Sequence, residues 1–185
     1  MRIVGGAFRG RSLATPQGDA VRPTSDRVRE SLFNILAHAQ GVSLQDARVL
    51  DLFAGTGALG IEALSRGAKF CLFVDDGTEA RGLIRTNMEN FALTGRSRIF
   101  RRDATSLGPT GTMGEFDIVF ADPPYRKGFG EKALRSAAEG GWLRVGTVIM
   151  LEEASDTSVE LGADFDVFDS RAYGETTIRL ARWKP

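Results

Sequence analysis

The chain has 185 residues, of which 42% are hydrophobic and 26% charged, a length and composition typical of one globular domain with a sizeable core. Its 24 Lys and Arg residues balance its 24 Asp and Glu residues, which excludes a polycation and limits any nucleic-acid surface to a local patch. One cysteine and one histidine exclude an internal disulfide and a Cys/His zinc site, and no segment looks apolar enough to cross a membrane. We therefore expect a cytoplasmic, metal-free protein, and nothing in the composition requires more than a monomer.

Residues 1–40 are predicted to form a small extension that packs on the main domain. The first fifteen residues are short β-like pieces broken by three glycines, which indicates a hairpin. After a loop, Thr24 or Ser25 is a plausible N-cap for a helix. That helix is indicated by apolar side chains at helical spacing, namely Val28, Leu32, Ile35 and Leu36.

The charge of this extension is uneven compared with the rest of the chain. It contains six arginines and three acidic residues, a net charge of +3 (6 − 3). Arginine is the cation best suited to bidentate phosphate contacts and to base stacking. These side chains therefore either form a solvated face or bind nucleic acid.

From Arg48 onward the sequence alternates between strands and helices. The predicted strands are Arg48–Phe53, Lys69–Val74, Ser97–Arg101, Phe116–Ala121 and Thr147–Glu152, and the predicted helices are Ala58–Arg66, Thr78–Ala92 and Glu131–Gly140. Continuously apolar strands that alternate with helices predict a parallel sheet covered on both faces.

Two further strands, Asp164–Ser170 and Thr176–Trp183, follow without a helix between them. Such a pair is expected to be antiparallel, at one edge of the sheet. The sequence thus predicts an α/β fold with a mostly parallel seven-stranded sheet over residues 41–185, preceded by the extension of residues 1–40.

A glycine-rich turn joins the first predicted strand to its helix. Gly55, Gly57 and Gly60 fit the pattern G-x-G-x-x-G, and Asp75 ends the next strand, where a ribose-binding carboxylate is expected. On its own, this pattern does not separate NAD from another adenosine cofactor.

Acidic residues at the strand ends favour one of these cofactors. Asp51 precedes the turn and would be a poor neighbour for a pyrophosphate, whereas S-adenosylmethionine carries a sulfonium and an ammonium group. Four acids stand near the ends of successive strands, which share one edge of a parallel sheet: Asp51, Asp75, Asp103 and Asp122. Helix capping is the alternative for each of them, but four at consecutive strand ends favour S-adenosylmethionine.

The segment Asp122-Pro123-Pro124-Tyr125 follows the fourth strand. Its carboxylate and a proline-segment carbonyl can accept the two N–H groups of an exocyclic base amine, which orients the nitrogen lone pair for methyl transfer. Tyr125 offers a face for base stacking, and the prolines fix the geometry. A rigid turn that ends the strand is the alternative.

Several stretches together resemble the bacterial small-subunit rRNA guanine-N2 methyltransferases over roughly residues 1–185. They are RIVGG at 2–6, RGR at 9–11, RPTSDRVRESLFNIL at 22–36, DLFAGTG at 51–57, DPPY at 122–125 and YGET at 173–176. The resemblance implies a Rossmann-like class I fold that binds S-adenosyl-L-methionine. It also implies methylation of a guanine in 16S rRNA, within an assembling small subunit.

The resemblance also implies roles for individual residues. The expected cofactor site comprises Asp51, Phe53, Gly55, Thr56, Gly57, Asp75, Asp76, Asp103, Ala104 and Asp122, with Asp103 and Ala104 at the adenine. The family more often has Glu at position 75, so whether Asp75 or Asp76 takes the ribose stays open. The expected RNA contacts are Arg9, Arg11, Arg22, Thr24, Arg27, Arg29, Arg126 and Lys127.

Three other functions stay open from the sequence. An adenine-N6 methyltransferase could use the same Asp-Pro-Pro-Tyr segment, although no block large enough for a target-recognition insert is visible. An NAD-dependent dehydrogenase shares the glycine turn. A non-catalytic RNA-binding protein with a vestigial pocket is the third.

Overall fold

The computed structural model describes residues 1–17, 25–39 and 41–185. Its centre is a seven-stranded sheet with the spatial order β3-β2-β1-β4-β5-β7-β6. The strands are β1 (Arg48–Leu52), β2 (Phe70–Val74), β3 (Ser97–Phe100), β4 (Phe116–Ala121), β5 (Leu143–Ala154), β6 (Phe165–Tyr173) and β7 (Thr176–Trp183). The first five are parallel, and β7 is antiparallel to both β5 and β6. This confirms the predicted mostly parallel sheet with an antiparallel pair at one edge.

Four α-helices accompany the sheet in the described ranges: α1 (Asp26–His38), α2 (Ala58–Ser65), α3 (Thr78–Asn90) and α4 (Phe129–Glu139). Ser25 is the N-cap of α1, since its Oγ accepts a hydrogen bond of 3.2 Å from the Val28 N–H. Thr24, the other N-cap candidate, lies outside the described residues. None of the helices described is both long and apolar enough to span a membrane.

The helices cover both faces of the sheet, as the continuously apolar strands predicted. Apolar residues of α1, α2 and α3 form one core with Val49 and Phe120, and those of α4 form the other core with Leu50 and Val119. Helix α1 is anchored by Phe33, whose ring meets the edge of Phe120 at a centroid distance of 5.6 Å. Neighbouring residues of each strand thus face opposite cores.

The N-terminal hairpin is reduced to a single β-bridge between Arg2 and Ser12. Within it a 3-10 turn spans Gly6–Phe8. A Cβ on Gly6, which has φ +75°, would lie 2.0 Å from the carbonyl oxygen of Ser65. The loop therefore lies directly against α2, and backbone hydrogen bonds such as that from the Ile3 N–H to the Arg11 carbonyl join the two sides of the hairpin.

Strand β5 is longer than its apolar stretch indicated, since it begins at Leu143 rather than Thr147 and ends at Ala154. Its pairing with β4 shifts register between Phe116 and Ile118. The added residues include the exposed Val145 and Gly146, the latter with φ +88°. A bulge of this kind interrupts the apolar pattern from which strands are predicted.

Candidate active site

The carboxyl ends of the parallel strands meet along one edge of the sheet. In the strand register, Leu52 of β1 is opposite Val74 and Ala121, while Val74 is opposite Phe100 and Ala121 is opposite Leu151. The residues that follow therefore form one row, which includes Phe53, Asp75, Asp122 and Glu152. Ligands of open α/β sheets bind at this edge, so it is the candidate site.

The glycine turn between β1 and α2 needs its glycines for two reasons. Gly55 and Gly57 have φ of +58° and +79°, a conformation that side chains rarely adopt. At Gly60, a Cβ would lie 2.4 Å from the Phe73 ring and 2.5 Å from the Cys71 sulfur, so α2 can approach the sheet only without a side chain there. The Cβ position of Gly55, by contrast, meets only the Phe53 carbonyl oxygen, at 3.9 Å. That side of the turn is open to a ligand.

Asp51 lies inside β1 and beneath the turn, with 1% of its surface exposed. Its Oδ2 accepts a hydrogen bond of 2.9 Å from the Gly60 N–H. Burial raises the pKa of this carboxyl well above its usual value, and the charge of Asp75 raises it further, against the effect of the Gly60 bond. The side chain therefore holds the turn from below, and that Asp51 lines the cofactor pocket stays a prediction.

Asp75 connects the ends of β1 and β2. Its Oδ2 accepts from the Gly55 N–H at 2.9 Å and its Oδ1 from the Gly77 N–H at 2.8 Å. Each carboxylate oxygen has a second lone pair for a ligand hydroxyl. Asp76 is exposed, and its backbone carbonyl accepts from Arg81. Of the two acids, Asp75 is the one that contacts the glycine turn.

Asp103 and Ala104 follow β3 in a short 3-10 turn, Ala104–Ser106. Asp103 Oδ1 accepts from the Thr105 N–H at 2.8 Å and from its hydroxyl at 2.7 Å. The aspartate therefore caps this turn and stays exposed, while Ala104 is buried. Both of the roles considered for a strand-terminal acid, capping and lining the edge, fit this position.

The segment from Asp122 to Tyr125 follows β4 directly. Asp122 is half-buried, Pro123 is buried and Pro124 is exposed. The Tyr125 hydroxyl donates to Glu152 of β5 and contacts Thr176 Oγ1 of β7 at 3.0 Å. Burial, followed by the bond to Glu152, raises the pKa of this phenol, so the hydroxyl keeps its proton and the ring stays anchored.

The two cations after this segment have different surroundings. Arg126 has φ +62°, its N–H donates to Glu153 at 2.9 Å, and its guanidinium forms a 3.0 Å ion pair with Asp156. Lys127 is exposed, with its ammonium 5.7 Å from the centroid of the Phe129 ring. Arg126 thus already has a counter-charge, whereas Lys127 faces an aromatic ring.

The N-terminal arginines are not equivalent either. Arg9 and Arg27 are exposed. Arg11 is exposed too, although its guanidinium stacks over Phe91 at 4.2 Å and donates to the Asn90 carbonyl. The remaining candidates at this end, Arg22 and Thr24, lie outside the described residues.

Arg29 is fully buried, so the prediction that it binds RNA phosphate is wrong. Its guanidinium lies 3.0 Å from Asp26 and 3.5 Å from Glu62, a buried acid of α2. Glu62 also accepts from the Val4 and Gly5 N–H groups at 3.0 and 2.8 Å. This pair fastens the N-terminal segment to α2.

Asn87 of α3 is a further residue that the sequence patterns did not single out. Its side chain is fully buried, exchanges hydrogen bonds of 2.7 and 3.1 Å with the backbone of Ala14, and donates to the Thr56 carbonyl at 2.9 Å. It therefore links the N-terminal segment to the glycine turn. The sequence feature that could have identified Asn87 is its position as a polar residue between Ile84 and Met88, on the apolar side of α3.

Comparisons of the sequence with known proteins show what this chain is similar to. The family model described as Conserved hypothetical protein 95 matches residues 1–182. The chain is 37% identical to Ribosomal RNA small subunit methyltransferase D of Escherichia coli K12, covering 97% of this chain and 88% of that protein. Its identity to the Haemophilus influenzae protein of that name is 30%, covering 97% and 92%.

Solved structures resemble this one over its whole length. The Escherichia coli protein yhhF, described as a candidate methyltransferase, superposes with a TM-score of 0.84 at 32% identity and covers 100% of this chain and 98% of its own. A precorrin methyltransferase from Geobacter metallireducens, 17% identical with a TM-score of 0.64, shares the fold. The Rossmann-like class I methyltransferase fold implied by the sequence resemblance is thereby confirmed.

Proposed function

This chain belongs to the methyltransferase family described as Conserved hypothetical protein 95, and from that premise we propose that it methylates the N2 amine of a guanine in 16S rRNA. The methyl donor in this proposal is S-adenosyl-L-methionine. The observation that carries the proposal is the rigid segment from Asp122 to Tyr125, held beside the glycine turn by the pairing of β4 with β1.

The residues at the sheet edge fit S-adenosylmethionine. The open side of Gly55 admits close approach of a ligand. Asp75, held by two backbone N–H groups, would accept hydrogen bonds from the ribose hydroxyls. Asp103 and Ala104 would border the adenine. The acids of this edge would repel a pyrophosphate, whereas they attract a sulfonium and an ammonium group.

S-adenosylmethionine supplies an electrophilic methyl group when it is bound, and the residues of this chain prepare the amine that accepts it. The Asp122 carboxylate accepts one N–H of the amine, and a carbonyl of the Pro123-Pro124 segment accepts the other. Both acceptors stabilise positive charge that develops on the nitrogen. Proline has no N–H to compete for these contacts.

Tyr125 would support the base from one side. Because its hydroxyl is anchored on β5 and β7, its ring is held in place before a substrate arrives. Stacking of a base on an aromatic ring is worth about 1–3 kcal/mol. The guanine has to be unpaired or flipped out of a helix to reach this pocket, as is possible in an assembling ribosomal particle.

The rRNA substrate rests on the family, since the relatives named above act on small-subunit rRNA by their names. The test is to incubate the protein with isotopically labelled S-adenosylmethionine and small-subunit rRNA or particles that lack the modification. Mass analysis of the nucleosides should find labelled N2-methylguanosine. Labelled N6-methyladenosine in its place would contradict the choice of base. Heat from NADH but none from S-adenosylmethionine in calorimetry would contradict the choice of cofactor.

The variant Asp122→Ala tests the role of the carboxylate. We expect turnover to fall by about 100-fold or more, while the Kd for S-adenosylmethionine changes little. Asp164→Ala removes an exposed acid from the opposite end of the molecule and should leave turnover unchanged. Normal turnover in Asp122→Ala would refute this mechanism and favour a non-catalytic role for the segment.

A further inference from the structure

A cleft of about 520 Å³ lies between α4 and the loop that follows β3. Its walls include Thr105 and Ser106 on the loop side and Lys132, Arg135 and Glu139 on the helix side. Neither the sequence motifs nor the proposed mechanism assigns it a role.

Positive charge predominates around this cleft. Lys132 and Arg135 stand three residues apart on α4, so they share one face of the helix, and both are exposed. Neither forms an ion pair within the part of the chain that the structure describes. Arg102 is exposed as well, and its guanidinium donates to the Leu107 carbonyl at 2.6 Å, next to the cleft wall. Among the lining residues, Lys132 and Arg135 stand against one acid, Glu139. Beside the cleft, Arg102 is balanced by the exposed Asp103, which accepts hydrogen bonds from Thr105.

An aromatic ring connects the cleft to the candidate active site. Helix α4 begins at Phe129, four residues after Tyr125. The Phe129 ring is half-buried, and the ammonium groups of Lys127 and Lys132 lie 5.7 and 5.9 Å from its centroid. Cations interleaved with a partly exposed aromatic ring are typical of surfaces that bind single-stranded nucleic acid.

We infer that Lys127 and the adjoining face of α4 up to Arg135 form a second RNA-binding surface, which takes the sugar-phosphate backbone beside the target base. This inference rests on the proposed function. Helix residues 129 to 135 span about 9 Å at 1.5 Å per residue, and cations spread over that length suit an extended polyanion better than a single small anion. The exposed Ser106 adds a hydroxyl donor for a phosphate oxygen.

The test measures binding of protein-free 16S rRNA to the full chain at several salt concentrations. The double variant Lys132→Gln/Arg135→Gln should weaken binding about tenfold near 0.1 M salt. It should also lower the steepness of the salt dependence by about 1.4 units, because each of the two lost phosphate contacts removes about 0.7 of the slope on a single strand. The Kd for S-adenosylmethionine should stay the same.

The control is Lys69→Gln/Arg144→Gln, which removes one lysine and one arginine, both exposed, from the opposite edge of the sheet. Arg144 also forms an ion pair with Asp117, and a surface pair of this kind contributes little to stability. If the test variant binds rRNA as tightly as the wild type, or if the control loses as much affinity for rRNA, the second RNA-binding surface is refuted. The proposed function would still stand as long as the wild type methylates rRNA. A loss seen only with ribosomal particles, and not with free RNA, would point to a protein partner and would also overturn it. A wild-type protein that neither binds nor methylates rRNA would overturn the proposed function, and this inference with it.

Discussion

The carboxyl of Asp51 is buried beneath the glycine turn. Burial raises its pKa above the usual value of 3.8. A carboxyl whose pKa is higher in the folded state than in the unfolded state holds its proton more tightly when folded. Its contribution to stability is therefore complete below about pH 4 and is lost as the pH rises through the folded-state pKa.

The variant Asp51→Asn should remove this pH dependence, because an amide oxygen can still accept the Gly60 N–H but does not ionise. Between pH 5 and 8, we expect the free energy of unfolding of the wild type to fall more with rising pH than that of the variant. Urea titrations at several pH values measure both profiles. Asp164→Asn, an exposed substitution, is the control. Parallel profiles for wild type and Asp51→Asn would contradict the assignment.

Individual residues show where sequence patterns succeed and where they stop. Asp75 and Asp122 were predicted at the sheet edge because local strand ends are readable from apolar runs. Arg29 was misplaced because burial depends on partners that are distant in sequence: Glu62 lies 33 residues after Arg29. A motif identifies which residues matter, but does not tell which of them solvent can reach.

At the scale of the elements, Asn87 joins three of them: α3, the N-terminal segment and the glycine turn. Asn87→Ala would leave the Ala14 N–H and the Thr56 carbonyl without this buried partner. We expect stability to fall by about 1–3 kcal/mol and the Kd for S-adenosylmethionine to rise about three- to tenfold as the turn loosens. Calorimetry and urea unfolding measure the two effects.

The control for this variant is Asn90→Ala, at the exposed end of the same helix, which should change neither quantity. A loss of stability with an unchanged Kd for the cofactor would show that Asn87 supports only the fold. That result would contradict the expected effect of Asn87 on cofactor binding through the glycine turn.

The boundaries of helices and strands were predicted correctly where the apolar pattern breaks clearly and were missed where they depend on packing. Strand β7 occupies the predicted Thr176–Trp183, because both its ends coincide with clear breaks in the apolar pattern. Helix α4 begins at Phe129, two residues before the predicted Glu131. Gly128 precedes it in a left-handed conformation, with φ +65°. Such conformations depend on the packed surroundings, so they limit what a local pattern can predict.

At the scale of the whole molecule, the division into residues 1–40 and 41–185 stays a prediction. Several contacts cross it: Phe33 packs on Phe120 of β4, and the hydroxyl of Ser31 lies 2.7 Å from that of Tyr173 in β6. Leu32 and Leu36 of α1 belong to the same core as the sheet. These contacts indicate one cooperative unit in which the described part of the extension shares the core of the sheet.

Hydrogen exchange of backbone amides can test whether residues 1–40 and 41–185 unfold as one cooperative unit. In one cooperative unit, the most protected amides of α1 and of β4 should open with the same free energy, that of global unfolding. Mild denaturant should lower both values together. Opening of α1 at a clearly lower free energy, while β4 stays protected, would show instead that the extension unfolds as a separate unit.

The anchoring of Tyr125 has a consequence for how the protein is made. The chain is synthesised from its amino end, and Thr176, one of the two partners of this hydroxyl, follows 51 residues after Tyr125. A nascent chain can complete its glycine turn and its first four strands while the tyrosine still lacks its partner on β7. The anchoring of Tyr125 in the candidate active site is therefore complete only late in synthesis, when the antiparallel hairpin joins the sheet.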